Sequence, residues 1–171
     1  MLITEEYRDL NAQLHKSRSD YGKRGSLIAP LAWEWCMNIG TTDVLDYGCG
    51  KAELNLHMPF AVKCYDPAVE KYSEKPEPAD LVVCTDVLEH VEPECIDAVL
   101  DDLQRVTRRN ALMTIALKPA IKTLADGRNA HVLLRPAEWW DEQISRRFDI
   151  VSSEKSEGGV AYVLRAKKEA S

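Results

Sequence analysis

The stretch that decides the fold is VLDYGCGKAE, residues 44–53, in which a short apolar run ends at Asp46 and is followed by Gly48 and Gly50. Glycines at this spacing permit a tight turn and allow a ligand to approach the backbone closely. A helix that begins directly after such a turn presents unpaired backbone N–H groups at the same place. The segment therefore predicts a strand, a ligand-binding turn and a helix, in that order.

The composition is that of an ordinary globular domain. Of the 171 residues, 45% are apolar and 29% are charged, which is the signature neither of a disordered chain nor of a membrane protein. The charge-rich N-terminus, residues 1–20, has no apolar run of the kind found in a secretory signal or a spanning helix. We therefore expect a cytoplasmic protein with no membrane partner.

The five cysteines favour a reducing compartment. They are odd in number, show no Cys-x-x-Cys spacing and lie mostly in apolar runs, which predicts buried free thiols rather than a structural zinc site. No metal ligand set is predicted. The net charge of −6 disfavours a surface that follows nucleic-acid phosphates. Extended nucleic-acid binding is not expected, although short basic clusters leave a local anion patch open.

Short apolar runs bounded by Gly, Pro or Asp predict six strands, at residues 43–47, 61–65, 79–86, 111–117, 149–154 and 160–168. The first three do not alternate cleanly between apolar and polar residues, as expected for a parallel sheet that is buried on both faces. The last two flank Gly158-Gly159 and predict an antiparallel hairpin.

The segments before and between these strands are predicted to be helices, at residues 3–16, 26–38, 51–58, 93–108 and 135–148. Thr4 is expected to cap the first helix, Pro30 to lie in the first turn of the second, and Gly40 to end the second. The order of elements predicts an α/β fold, a three-layer sandwich around a mostly parallel sheet. We divide the chain into N-terminal helices that are a candidate lid, residues 1–40, and one domain, residues 41–171.

A second carboxylate follows at the next strand. Asp66, in the segment CYDP, lies twenty residues after Asp46 and ends the second predicted strand. Asp66 can accept both hydroxyl protons of a ribose, and Asp46 suits an ammonium group. A dinucleotide fingerprint would instead place a third glycine where Glu53 stands. The acid pair therefore favours an adenosine with a cationic amino-acid tail, which describes S-adenosylmethionine.

Three segments, VLDYGCGKAE, CYDP and ADLVVCTDVLEHVEPE (79–94), together resemble the motifs of class I S-adenosylmethionine-dependent methyltransferases. The resemblance covers residues 43–150. It implies a Rossmann-like sheet, S-adenosylmethionine as cofactor and methyl transfer as activity. Compact chains of this kind are similar to stand-alone methyltransferases of bacterial and phage genomes.

The resemblance also implies where the cofactor binds. Asp46, Gly48 and Gly50 would form the turn at the methionine end, and Asp66 would bind the ribose. Further contacts are expected at the ends of the second and third strands, from Pro67, Thr85, Asp86 and Val87. The loop SRSDYGKRG (17–25) is either a lid whose candidate contacts are Tyr21, Lys23 and Arg24, or a linker between two helices with no ligand role.

This sequence departs from the family pattern at two places. Ala52 stands where a third glycine is usual, a small change that should be tolerated. Only fourteen residues separate Asp66 from Asp80, where the family normally places another helix and its third strand. We therefore expect a sheet that lacks the usual third strand and an adenine site that is open or shallow.

Two histidines are candidate catalytic residues. Methyl transfer from a sulfonium depends mainly on positioning and desolvation, and a base is needed only if the acceptor arrives protonated. His90 follows the third predicted strand and His131 the fourth, so both are expected at the ligand edge. Each could instead only order its loop. His15 and His57 are expected to be surface or packing residues.

Other polar and aromatic residues leave two interpretations open. The cluster DGRNAH, residues 126–131, suits either substrate recognition or turn chemistry. Lys118 suits an anionic acceptor or is one more exposed lysine. Trp139 and Trp140 point about 100° apart on a helix, so at most one would face a pocket and packing of one against the sheet is expected. Trp33 and Trp35 are also expected to pack in the core.

The expected function is S-adenosylmethionine-dependent methyl transfer to a small-molecule or nucleotide-sized acceptor. No Asn-Pro-Pro-Tyr tetrapeptide follows the 79–86 strand, which disfavours a base-flipping methylase. One alternative is a non-catalytic S-adenosylmethionine-binding or regulatory module whose shortened sheet marks lost activity. Another is an enzyme that transfers a different group, such as aminocarboxypropyl, from the same cofactor.

Overall fold

The structure, a computed structural model, describes residues 1–18 and 25–167. Its helices are α1 (Glu5–Ser17), α2 (Gly25–Ile39), α3 (Glu53–His57), α4 (Ile96–Val106) and α5 (Ala137–Ser145). Its strands are β1 (Val44–Tyr47), β2 (Lys63–Tyr65), β3 (Ala79–Thr85), β4 (Thr107–Ala116), β5 (Phe148–Lys155) and β6 (Gly159–Ala166). Short 3-10 turns follow β2 and β3, at Glu70–Tyr72 and Leu88–His90. The predicted lid residues Tyr21, Lys23 and Arg24 lie outside the described residues.

The six strands form one sheet in the order β2-β1-β3-β4-β6-β5. The first four run parallel to one another, and β6 is antiparallel to both β4 and β5. The mostly parallel sheet and the C-terminal antiparallel hairpin are therefore confirmed. Strand β2 forms one edge, and the described residues 66–78 between β2 and β3 hold a single 3-10 turn. The expected lack of the usual third strand is confirmed as well.

Helices cover both faces of the sheet, which confirms the three-layer sandwich. On one face α4 and α5 pack against Val82 and Cys84 of β3, and on the other α2 and α3 pack against Leu81 and Val83 of the same strand. Successive side chains of a strand point to opposite faces. Because both faces of β3 are covered, all four positions are apolar, which explains the absence of alternation in the sequence.

The boundary between α4 and β4 differs from the prediction. The helix ends at Val106 and the strand begins at Thr107, so the helix predicted to residue 108 was too long and the strand predicted from residue 111 was too short. Arg108 is therefore the second residue of the strand, with its Nε atom 2.9 Å from Asp80 Oδ1 and a second hydrogen bond to Asp43. These ion pairs lie at the amino ends of the parallel strands. Arg108 therefore pairs with carboxylates at the edge of the sheet away from the glycine turn.

Two predicted helix boundaries are confirmed, and one proline placement is wrong. The Thr4 hydroxyl accepts a hydrogen bond from the Tyr7 N–H at 3.2 Å, and Gly40 ends α2 with a φ of 67°. Pro30 is the sixth residue of α2, because the helix already begins at Gly25. It therefore lies in the second turn, where proline removes a hydrogen-bond donor from the helix.

The cysteines are free and mostly buried, as the sequence predicts. All five cysteines are free, and four of them are buried, with Cys64 partly exposed. Within residues 1–18 and 25–167, none of the helices has both the length and the apolar character needed to cross a membrane.

Candidate functional site

A cavity of about 590 Å³ opens at the carboxyl ends of the parallel strands. Strand order reverses here, since β1 lies between β2 and β3, and ligands of open α/β sheets bind at such a point. The volume falls within the range of sites for small molecules and cofactors. All of the sequence-predicted site residues that the structure describes line this cavity: Asp46, Gly48, Gly50, Asp66, Pro67, Thr85, Asp86, Val87, His90 and His131. Tyr21 lies outside the described part of the chain.

The glycine turn is packed between the ends of β2 and β3. The N–H groups of Gly48 and Cys49 donate to the Tyr65 carbonyl oxygen at 2.7 and 3.0 Å. Gly48 has a φ of +79°, and a Cβ atom at this position would lie 2.3 Å from Val87 Cγ2. Both the backbone conformation and the close approach therefore require glycine.

Ala52 explains why a third glycine is usual in this turn. Its φ of 56° lies in the left-handed region, which costs a residue with a side chain about 1–2 kcal/mol. The Ala52 N–H donates to the Cys49 carbonyl oxygen at 2.8 Å. Alanine thus adopts the conformation that glycine adopts more easily, and the turn is kept.

The Asp66 carboxylate is tied to the same turn. Its Oδ2 atom accepts a hydrogen bond from the Gly50 N–H at 3.0 Å, and its Oδ1 atom accepts one from the Ala68 N–H at 2.9 Å. Each carboxylate oxygen can accept two hydrogen bonds. Asp66 is therefore held in a fixed orientation, and each of its oxygens can still accept a hydrogen bond from a ligand in the cavity.

Asp46 is a buried acid at the end of β1, with 5% of its surface exposed. Burial, with smaller contributions from the neighbouring Cys64 and Asp66, raises the pKa of its carboxyl group to about 8. A cation placed next to such a group favours the ionised form. The position is therefore suited to a ligand that carries positive charge.

Helix α1 forms one wall of the cavity, through Tyr7, Asn11 and His15. The backbone N–H and the hydroxyl of Thr4 donate to the two carboxylate oxygens of Glu92, at 2.9 and 2.7 Å, which anchors the start of the helix beside the end of β3. His15, expected to be a surface or packing residue, also lines the cavity, and its Nε2 atom lies 3.9 Å from an Asp66 oxygen. The lid role of residues 1–40 stays a prediction.

His90 and His131 also line the cavity, with ring centroids 4.7 Å apart in an edge-to-face arrangement. The Nδ1 atom of His90 lies 2.7 Å from the Ala130 carbonyl oxygen, and that of His131 lies 2.6 Å from the Lys118 carbonyl oxygen. A carbonyl oxygen can only accept, so Nδ1 carries a proton in each ring. Burial, with a smaller effect of His131, lowers the pKa of His90 to about 4, so His90 is neutral near pH 7.

Glu89 lies close to these two histidines, and the sequence did not predict it as a site residue. It is fully buried, and its Oε1 atom accepts a hydrogen bond from the Ala116 N–H at 2.9 Å. One ligating atom from each of Glu89, His90 and His131 lies within 4.8 Å of the others. The only signal in the sequence was the Glu-His pair directly after a strand.

The cluster at residues 126–131 divides into turn residues and one cavity residue. Asp126 accepts hydrogen bonds from the Arg128 backbone and guanidinium, at 3.0 and 2.7 Å, and the Asn129 amide bonds the N–H and the carbonyl oxygen of Ala120. These contacts are turn chemistry. Of the four polar side chains that were singled out, His131 alone lines the cavity.

None of the four tryptophans lines the cavity, and three of them pack in the core. Trp140 is fully buried in the core, and Trp139 packs against the same cluster, as predicted for this helix. Neither lines the cavity. Trp35 packs against the core formed by α2, whereas Trp33, predicted to be a core residue, is 41% exposed.

No protein-family model and no curated protein matches the chain, but solved structures do. The magnesium protoporphyrin IX methyltransferase of Synechocystis PCC 6803 with bound SAH is similar with a TM-score of 0.64 and 14% identity, over 95% of this chain and 97% of that one. The N-methyltransferase NodS of Bradyrhizobium japonicum WM9 in complex with S-adenosyl-L-homocysteine matches with a TM-score of 0.60 and 12% identity, over 95% and 100%. The 1,6-didemethyltoxoflavin-N1-methyltransferase of Burkholderia thailandensis, with bound 1,6-didemethyltoxoflavin and S-adenosylhomocysteine, matches with a TM-score of 0.61 and 14% identity, over 98% and 92%. The chain has the fold of the class I S-adenosylmethionine-dependent methyltransferases.

Proposed function

We propose that the protein binds S-adenosylmethionine and transfers its methyl group to an acceptor of small-molecule or nucleotide size. The observation that carries the proposal is that Asp46 and Asp66, at the tips of neighbouring strands, line one cavity together with the glycine turn. The similar proteins are methyltransferases whose structures contain S-adenosylhomocysteine, and they support the same ligand here.

The residues present fit this cofactor. Asp66 would accept the ribose hydroxyls, Asp46 would face the ammonium group, and the backbone at Gly48 would lie against the methionine end. One buried hydroxyl in the cavity wall, that of Thr85, has no hydrogen-bond partner among the described residues. A buried hydroxyl without a partner costs free energy, so a polar ligand in this cavity would gain by supplying one.

S-adenosylmethionine, when bound, supplies an activated methyl group on a positively charged sulfur. The chain's part is to hold the two reactants in line and to keep water out. We propose that His90 and His131 meet the acceptor, because they line the cavity beyond the glycine turn. The low pKa of His90, about 4, makes it a weak base, which favours an orienting role for this ring.

The proposal is tested by incubating the protein with S-adenosylmethionine labelled in its methyl group and with fractions of a cell lysate. The expected result is a labelled small molecule or nucleotide together with S-adenosylhomocysteine. Release of methylthioadenosine instead would indicate transfer of the aminocarboxypropyl group. Tight cofactor binding without either product would indicate a binding module.

Cofactor affinity is expected to rise as the pH rises from about 6 to about 8. The raised pKa of Asp46, about 8, means that its carboxyl group is mostly protonated below that pH, and an ammonium ligand must displace the proton. The dissociation constant of S-adenosylhomocysteine should therefore fall by up to about tenfold per pH unit. Titration calorimetry across this range measures the change. Asp46→Asn, which has no proton to lose, should flatten the profile, and a wild-type affinity that is independent of pH would contradict the expectation.

A further inference from the structure

One carboxylate and two imidazoles converge where β3 and β4 end. We propose that Glu89, His90 and His131 bind a divalent transition-metal cation at the acceptor end of the cavity. One ligating atom from each residue lies within 4.8 Å of the other two. Ligands about 2.1 Å from a shared ion lie roughly 3.0–3.5 Å apart, so small side-chain rotations complete the set.

Each of the three side chains is held by a hydrogen bond to the backbone, as the ligands of a metal site usually are. Both histidines donate their Nδ1 protons to backbone carbonyl oxygens, of Ala130 and Lys118, at 2.7 and 2.6 Å. Metal-binding histidines are usually held in this way, because the bond fixes the tautomer and turns the other nitrogen toward the ion. The Glu89 Oε1 atom is held by the Ala116 N–H at 2.9 Å. The orientation of each group is thus set by the backbone.

The ligand types indicate the class of ion. Two imidazoles and one carboxylate suit Zn²⁺, Co²⁺ or Fe²⁺ better than Mg²⁺ or Ca²⁺, which prefer oxygen ligands alone. Three protein ligands leave at least one coordination position for another molecule.

The open position gives the ion a role in the reaction proposed above, on which this role rests. His90 and His131 line the same cavity as the glycine turn and Asp66, so a molecule bound to the ion would lie beside the methyl donor. A divalent cation lowers the pKa of a bound hydroxyl group and orients its oxygen. The acceptor would then be an oxygen nucleophile that gives its proton to water on binding. Its oxygen attacks the methyl carbon as the carbon–sulfur bond breaks, and the electron pair of that bond stays on sulfur, which leaves S-adenosylhomocysteine.

Binding of Co²⁺ to the metal-free protein, without any S-adenosylmethionine, tests the site independently of activity. Visible absorption should report one Co²⁺ per chain. Glu89→Gln and His131→Gln should each weaken this binding by more than about 100-fold, because loss of a ligand costs at least as much as loss of its supporting contact. Glu89→Gln keeps an oxygen that can accept from Ala116. The matched control is His57→Gln, since His57 is exposed and its Nδ1 atom lies 2.8 Å from the Glu53 carbonyl oxygen of its own helix. This variant should bind Co²⁺ as the wild type does.

Wild-type protein without Co²⁺ absorption, or variants that bind Co²⁺ unchanged, would overturn the site. Loss of S-adenosylhomocysteine binding along with Co²⁺ binding in both variants would indicate unfolding and also overturn it. Co²⁺ binding that depends on these residues, in a protein that transfers no methyl group, would leave the metal site standing and reject the proposed function. Methyl transfer that survives both variants would support the proposed function and reject the role of the metal site in it.

Discussion

Replacement of Asp66 by alanine is expected to weaken S-adenosylhomocysteine binding by at least about 100-fold. Two hydrogen bonds from ribose hydroxyls to a carboxylate contribute about 1.5–3 kcal/mol each. The same side chain also fixes the glycine turn, through the Gly50 N–H at 3.0 Å. Its removal therefore takes away the ribose ligand and loosens the backbone that lies against the methionine end. Titration calorimetry with purified protein measures the effect.

Two further variants separate charge from general damage. Asp66→Asn keeps the shape and one acceptor oxygen, so its affinity should lie between those of the wild type and of Asp66→Ala. Asp149→Ala removes an exposed carboxylate on β5, and its affinity should equal that of the wild type. An Asp66→Ala protein that binds within a few-fold of the wild type would show that the ribose is held elsewhere.

Gly48→Ala is expected to lower the free energy of unfolding by about 2–5 kcal/mol. The φ of +79° costs about 1–2 kcal/mol for a residue with a Cβ atom. That atom would also lie 2.3 Å from Val87 Cγ2 and 2.9 Å from Val87 Cγ1, and overpacking of this kind costs about 1–3 kcal/mol more. Urea unfolding monitored by circular dichroism measures the sum.

Gly40→Ala is the matched control for backbone strain. Gly40 has a φ of +67°, but nothing lies within 4 Å of the Cβ atom that alanine would add, so only the conformational cost of about 1–2 kcal/mol applies. The double variant Gly48→Ala/Val87→Ala should recover part of the loss, because the clashing methyl groups are gone. Equal destabilisation by Gly48→Ala and Gly40→Ala would show that the turn is not in close contact with Val87.

The sheet and the acid pair could be predicted because they follow from local rules. Valine-rich runs without alternation indicate strands buried on both faces, and the fourteen-residue gap after Asp66 leaves no room for another strand and helix. The carboxyl ends of neighbouring parallel strands meet at one edge, so Asp46 and Asp66 had to lie near each other.

The position of α1 could not be predicted in the same way. Periodicity indicates which face of a helix is buried but not which surface it covers. Tyr7, Asn11 and His15 recur every four residues, a polar and aromatic stripe that marked this face of the helix. That the stripe faces the cavity depends on contacts distant in sequence, such as the pairing of Thr4 with Glu92.

The three-residue cluster shows the same limit. Glu89 and His90 are about forty residues from His131 in the sequence, and the pairing of β3 with β4 is what brings their loops together. For His90, a catalytic role and a role in ordering its loop are the two alternatives. Its Nδ1 atom bonds the Ala130 carbonyl oxygen, which orders the loop, and its side chain lines the cavity. The catalytic role stays a prediction.

A crystal structure of the protein with S-adenosylhomocysteine tests the central claim most directly. The account expects the ribose hydroxyls within hydrogen-bond distance of the Asp66 carboxylate, the ammonium group next to Asp46, and the adenine on the side of Pro67. An empty cavity at a saturating concentration of the ligand, or a ligand whose ammonium group lies away from Asp46, would contradict it.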